Sequence, residues 1–133
     1  MSVLYVARSA KLSEWASDVG LSKHVYKIGC TDEPLEGVIA AGWAGETDWT
    51  LVRKRDVDDV TEEEIIARLQ RKDKMIDPNY YPRLRGATGL FKVLTERVEN
   101  HLFSARALAG EPLKAIKVKP TDFADYLIHN VLR

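Results

Sequence analysis

The sequence predicts an α+β domain: a small antiparallel or mixed sheet flanked by helices, with a C-terminal helical extension. Three observations carry this expectation. An alternating apolar segment opens the chain, two more β-type segments follow with helical spacing between them, and one later helix has a complete start signal. Val3, Tyr5 and Ala7 alternate with Leu4, Val6 and Arg8, as in a buried central strand near residues 2–8. Ser13 is placed to cap a short helix carrying Glu14, Trp15 and Val19, with Gly20 as its stop. A second strand runs through Val25-Tyr26-Lys27-Ile28-Gly29. Pro34 suits a first helical turn, and Leu35, Val38, Ile39 and Ala41 keep helical spacing up to Gly42. Asp48 to Arg55 reads as a third strand with Trp49, Leu51 and Arg53 on one face.

Thr61 and Glu64 have the spacing of a capping box, and Val60 and Ile65 that of a hydrophobic staple. A helix therefore starts there, with Ile65, Ile66 and Leu69 as its buried stripe. Pro78 and Pro82 hold Asp77 to Gly86 out of helix, and Gly89 to Val93 reads as a short strand. Val98, Leu102, Ala105 and Ala109 mark a further helix closed by Gly110. Leu113 to Val118 alternates apolar residues with lysine, and Pro120-Thr121-Asp122 opens a last helix with Phe123, Leu127 and Val131 along one side.

The 133 residues are enough for one core, with no need of a disulfide or structural metal, and the single cysteine, Cys30, has no partner within the chain. No apolar run reaches the length of a membrane span, and the start lacks the basic and long apolar regions of a signal peptide, so the expected location is the cytoplasm, with no membrane partner. Twenty basic residues balance twenty acidic ones, which excludes a polybasic, histone-like mode of nucleic-acid binding.

The charges are not evenly spread. Asp56, Asp58, Asp59, Glu62, Glu63 and Glu64 form an acidic block, followed by Arg68, Arg71, Lys72, Lys74, Arg83, Arg85 and Lys92 with only Asp73 and Asp77 between them. Carboxylates beside a basic face are what a metal-dependent phosphodiester enzyme needs. A solvated helix that follows its own dipole gives the same pattern. Tyr80, Tyr81, Arg83 and Arg85 interleave rings and guanidinium groups in one loop, a mixture fit for stacking on bases and pairing with phosphates, and equally for plugging a core edge.

Leu4-Tyr5-Val6, then Tyr26-Lys27-Ile28-Gly29, then Thr31-Asp32 and a helix, resemble the GIY-YIG endonuclease superfamily, and more closely its phage-type DNA-binding branch. Asp48 to Val52 as third strand, the acidic-start helix at Thr61 and Gly89 to Val93 extend the resemblance over about residues 2–93. It implies a GIY-YIG-like domain over residues 1–93, with residues 94–133 packed on it as an extension. It also implies a three-stranded antiparallel sheet, DNA as partner and phosphodiester hydrolysis with one divalent ion such as Mg²⁺. Tyr5 matches the first family tyrosine, Lys27 stands at the place of the second, and Glu64 or Glu63 matches the metal-binding glutamate by region. The implied catalytic residues are Tyr5, Lys27 and Glu64, with Glu64 as metal ligand and Arg68, Tyr80, Tyr81, Arg83 and Arg85 as nucleic-acid contacts. Tyr26 is one residue off and points to the opposite sheet face. The helix from Glu33 to Gly42 has no arginine where the family carries its phosphate contact, so that group is either missing or supplied from elsewhere, by Arg53, Arg68 or Arg83. The first motif has Val3 and Leu4 in place of its glycine and isoleucine, and Glu64 has a structural role as the capping-box residue.

The competing reading is a non-catalytic module that binds nucleic acid or another protein. Other chemistry has weaker signals. His24, His101 and His129 are too scattered for a short zinc motif with Cys30, and Cys30 fits a small buried hydrophobe better than a nucleophile. No nucleophile elbow, Walker loop or dinucleotide fingerprint occurs; Ala41-Gly42-Trp43-Ala44-Gly45 has glycines but a bulky Trp43 and no Lys-Ser/Thr after it.

Overall fold

The computed structural model describes residues 2–58, 60–111 and 117–132. Five strands, β1 (Ser2–Ser9), β2 (Val25–Thr31), β3 (Trp49–Val57), β4 (Lys74–Met75) and β5 (Leu90–Lys92), form one antiparallel sheet in the order β3-β1-β2-β5-β4. The helices are α1 (Ala10–Asp18), α2 (Leu35–Ala41), α3 (Glu62–Gln70), α4 (Thr95–Leu108) and α5 (Pro120–Leu132). The architecture is thus α+β, and the sheet is wider than three strands.

The alternation in β1 is that of a strand covered on both faces. Leu4 and Val6 join Tyr26, Ile28 and Phe91 in a core closed by Ile65 and Leu69 of α3, Val98 of α4, and Phe123, Leu127 and Val131 of α5. Ala7 joins Val25 and Leu90 on the other face, under Leu12 and Ala16 of α1 and Trp49, Ile76 and Leu84. Phe123 lies against the rings of His24 and Tyr26, at 4.5 and 5.3 Å. The C-terminal helix therefore fills the core of the sheet domain.

Several elements differ from the sequence expectation. The first helix starts four residues earlier than expected, because Ser9 rather than Ser13 is its cap: Ser9 Oγ accepts from the Leu12 N–H at 3.1 Å and donates to Asp48 at 2.5 Å. Ser13 lies buried inside the helix. The third strand extends to Val57, with a register shift opposite Val6 and Ala7. The two-residue β4 and a 3-10 turn at Pro82–Leu84 were not signalled, being too short for any periodicity. Of the alternating segment from Leu113 to Val118, residues 113–116 lie outside the described residues, and Lys117 and Val118 are in neither helix nor strand. No helix among the described residues is long and apolar enough to cross a membrane.

Phe123→Ala should cost about 3–5 kcal/mol of unfolding free energy in urea titration, the range for emptying a well-packed aromatic site. A loss below about 1 kcal/mol would show that α5 is no part of the cooperative unit.

Candidate functional site

β1 and β2 pair with Tyr5 opposite Gly29 and Ala7 opposite Lys27, which puts Tyr5, Lys27 and Gly29 on one face of the sheet. Tyr5 and Lys27 are each 2 % exposed. The Lys27 ammonium donates to the Thr88 carbonyl at 2.8 Å, lies 3.4 Å from Glu62 Oε1, and sits 5.3 Å from the centroid of the Trp43 ring. Trp43 also stacks on Tyr5 at 5.7 Å and meets Trp49 edge-on at 5.2 Å, so its indole roofs both polar residues.

Two glycines make this approach possible. A β-carbon at Gly29 would overlap both Glu62 Oε1 and the Tyr5 hydroxyl, so the two oxygens flank one point where only glycine fits. A β-carbon at Gly89 would stand 2.6 Å from the Ile28 carbonyl and 2.7 Å from Lys27 Nζ, and φ there is +77°.

The carboxylate that joins Tyr5 and Lys27 is Glu62, not Glu64. Glu64 is exposed, and its backbone N–H is the one that Thr61 Oγ1 caps, at 3.2 Å. Residues two apart on a helix point about 200° from each other, so the two side chains leave α3 on opposite sides. Glu63 is exposed as well. The signal for Glu62 was present in the sequence: it lies three residues before Ile65 and seven before Leu69, on the same buried stripe.

The arginines do not gather at this cluster. Arg53 pairs with Asp125 at 3.1 Å, and Arg68 donates to the Val131 carbonyl at 3.1 Å, so both are tied to α5 on the opposite face. Arg83 donates to the Ala44 carbonyl at 2.5 Å and to Glu46 at 2.6 Å, pinning the turn that carries Trp43. Arg85 is exposed, with left-handed backbone, and its guanidinium lies against Gly45. Tyr81 packs edge-on against Trp15 at 5.7 Å, whereas Tyr80 is 74 % exposed. Tyr26 faces the α5 side, as its position one residue off the motif requires.

The electrostatics separate the roles. Burial lowers the Lys27 amine below its ordinary value of 10.5, against an opposing pull from Glu62. Burial, with the Glu62 and Cys30 charges, pushes the Tyr5 phenol far up, so it remains a hydrogen-bond donor at every working pH. The Cys30 thiol is raised mainly by burial and donates to the Val60 carbonyl at 3.6 Å, which disfavours the thiolate. Among the described residues no three His, Cys, Asp or Glu side chains gather to hold a metal, so Glu62 is the single carboxylate the cluster presents. One partly exposed carboxylate fits Mg²⁺, which keeps most of its waters and takes phosphate oxygens; it does not fit zinc, which needs three or four nitrogen or sulfur ligands. The chain matches no protein-family model, no curated protein and no solved structure.

Two measurements check this geometry. Gly29→Ala should cost about 1–3 kcal/mol by overpacking the cluster, whereas Gly37→Ala, in open space on α2, should stabilise by about 0.5–1 kcal/mol. Because the folded-state pKa of Lys27 is lowered, the unfolded chain binds the extra proton between that value and 10.5, and stability from this residue rises with pH across that window. The stability of wild type relative to Lys27→Met should therefore increase on going from neutral pH toward about 10. A flat difference would mean that the amine is unperturbed.

Proposed function

We propose that this chain is a GIY-YIG-like domain that binds DNA and hydrolyses a phosphodiester at the cluster of Tyr5, Lys27 and Glu62. The observation that carries the reading is the convergence itself. A buried lysine, a buried tyrosine and a carboxylate from three elements meet at glycines 29 and 89, where an apolar packing would cost less. In this reading Tyr5 donates a hydrogen bond to a phosphoryl oxygen, and Glu62, 37 % exposed, is the residue that would hold Mg²⁺. A divalent ion supplies stabilisation of charge developing on the phosphate. Lys27 fixes Glu62 Oε1 at 3.4 Å and places a buried positive charge beside the carboxylate that would hold the ion.

The binding-only reading is favoured by Trp43, which covers Tyr5 and Lys27 and leaves only Glu62 open to solvent. Cleavage decides between the two. Purified protein with plasmid or single-stranded DNA and Mg²⁺ or Mn²⁺ should cut, and Tyr5→Phe and Glu62→Gln should each slow cutting by about a hundredfold or more. Glu64→Gln should leave the rate unchanged. Cutting undiminished in both Tyr5→Phe and Glu62→Gln points to a contaminant, and no cutting in the wild type leaves the binding module.

A further inference from the structure

The sheet edge farthest from Trp43 carries two clefts that share residues. One, of about 380 Å³, is lined by Arg71, Lys72, Lys74, Lys92 and Arg97; the other, of about 370 Å³, by Lys74, Lys92, Met75, Ile76, Tyr80 and Tyr81. Lys74 and Lys92 pair across β4 and β5 and line both, so the clefts form one groove, basic at one end and aromatic at the other. We propose that this groove is a binding track for single-stranded nucleic acid, with the cations on the phosphates and Tyr80 as a stacking platform for a base.

The helix dipole explains Arg68 and Arg71 near the end of α3, but not the whole groove. Lys92 comes from β5, and Arg97 lies in the first turn of α4, where the dipole disfavours a cation. Arg97 is held there by donating to the Lys72 carbonyl. Five cations from three stretches of chain thus converge on one cleft. Two carboxylates line the clefts beside the five cations and leave the balance basic: Asp73 is buried, accepts from the Tyr126 hydroxyl at 3.2 Å and feels the Arg97 and Lys72 charges, and Asp77 accepts from the Asn79 N–H at 2.8 Å.

The aromatic end has the second feature of a single-strand site. Tyr81 is packed against Trp15, and Tyr80 stands on it edge-on at 4.8 Å, so an exposed ring is held in place at little entropic cost. In a duplex the base faces are already stacked, and a lone exposed tyrosine beside a phosphate track is matched to an unpaired strand.

The track rests on the nucleic-acid half of the proposed function and not on its hydrolytic half. Its test is fluorescence anisotropy of the whole chain with a labelled oligothymidylate of about fifteen nucleotides and with the matching duplex. Wild type should prefer the single strand, with a log affinity against log salt slope of about −3. Lys74→Glu with Lys92→Glu, and separately Tyr80→Ala, should each weaken binding about tenfold or more, and the charge reversals should flatten the slope. Binding that survives the charge reversals overturns the track and leaves DNA binding elsewhere. Equal affinity for duplex with no effect of Tyr80→Ala overturns the single-strand assignment, and no binding to either overturns the track together with the DNA reading. A chain that binds through the groove but never cuts loses only the hydrolase claim.

Discussion

The Lys27 ammonium is the constraint around which this end of the fold is arranged. A charge in the middle of a sheet carries a desolvation penalty of several kcal/mol unless its donors are met. Here they are met from separate parts of the chain: the Thr88 carbonyl just before β5, Glu62 at the start of α3, and the Trp43 ring from the turn after α2. Each supplier is fixed in turn. Arg83 pins the Trp43 turn through Ala44 and Glu46, and the Trp49 indole donates to the Trp43 carbonyl at 3.1 Å. That turn passes through Ala44 at φ +57°, a strained backbone for a residue with a β-carbon, and the cross-links hold it there. Glu62 reaches the amine only because Gly29 has no side chain.

Much of the fold was legible because the signals are local. The periods of β1 and β2, the Thr61 cap and the Phe123-Leu127-Val131 stripe depend on residues a few positions apart, and those elements stand where the pattern puts them. Local pattern did not separate Ser9 from Ser13 as the cap of α1, and the bond that further holds Ser9 goes to Asp48, thirty-nine residues away. The cluster was half legible for the same reason. The motif resemblance singled out Tyr5 and Lys27, but that they share a face depends on the register of β1 against β2, and the carboxylate and indole that meet them come from α3 and from the turn after α2, contacts that no local period encodes.

The even total of charges also has a structural meaning. The acidic residues at the start of α3 are divided by the helix itself: Glu62 faces Lys27, while Glu63 and Glu64 stay in solvent near the positive end of the dipole. The basic residues are divided too. Arg53, Arg68 and Arg83 are bound to internal acceptors and act as tethers, whereas Lys74 and Lys92 gather at the sheet edge with Arg97, which is itself tied to the Lys72 carbonyl. Neutrality at the level of the chain therefore coexists with a groove in which five cations outnumber two carboxylates, Asp73 and Asp77.

The groove and the cluster are related by the register of the sheet. Lys92 lies opposite Val25 and Leu90 opposite Lys27, so Lys92, Lys74 and Lys27 leave the sheet on the same face. From the backbone of Lys27 to that of Lys92 is roughly 7 Å along the strand and roughly 5 Å across to its neighbour. What separates them chemically is cover. Lys74 is in solvent, Lys27 is sealed, and Glu62 is the one member of the cluster with part of its carboxylate open. In the proposed reading a strand lying in the groove leaves Trp43 where it is, whereas a phosphate against Tyr5, which is 2 % exposed under the indole, needs Trp43 to move. The two halves of the proposal thus ask different things of this face: binding in the groove uses cations already at the surface, and chemistry at Tyr5 uses a side chain that Trp43 covers.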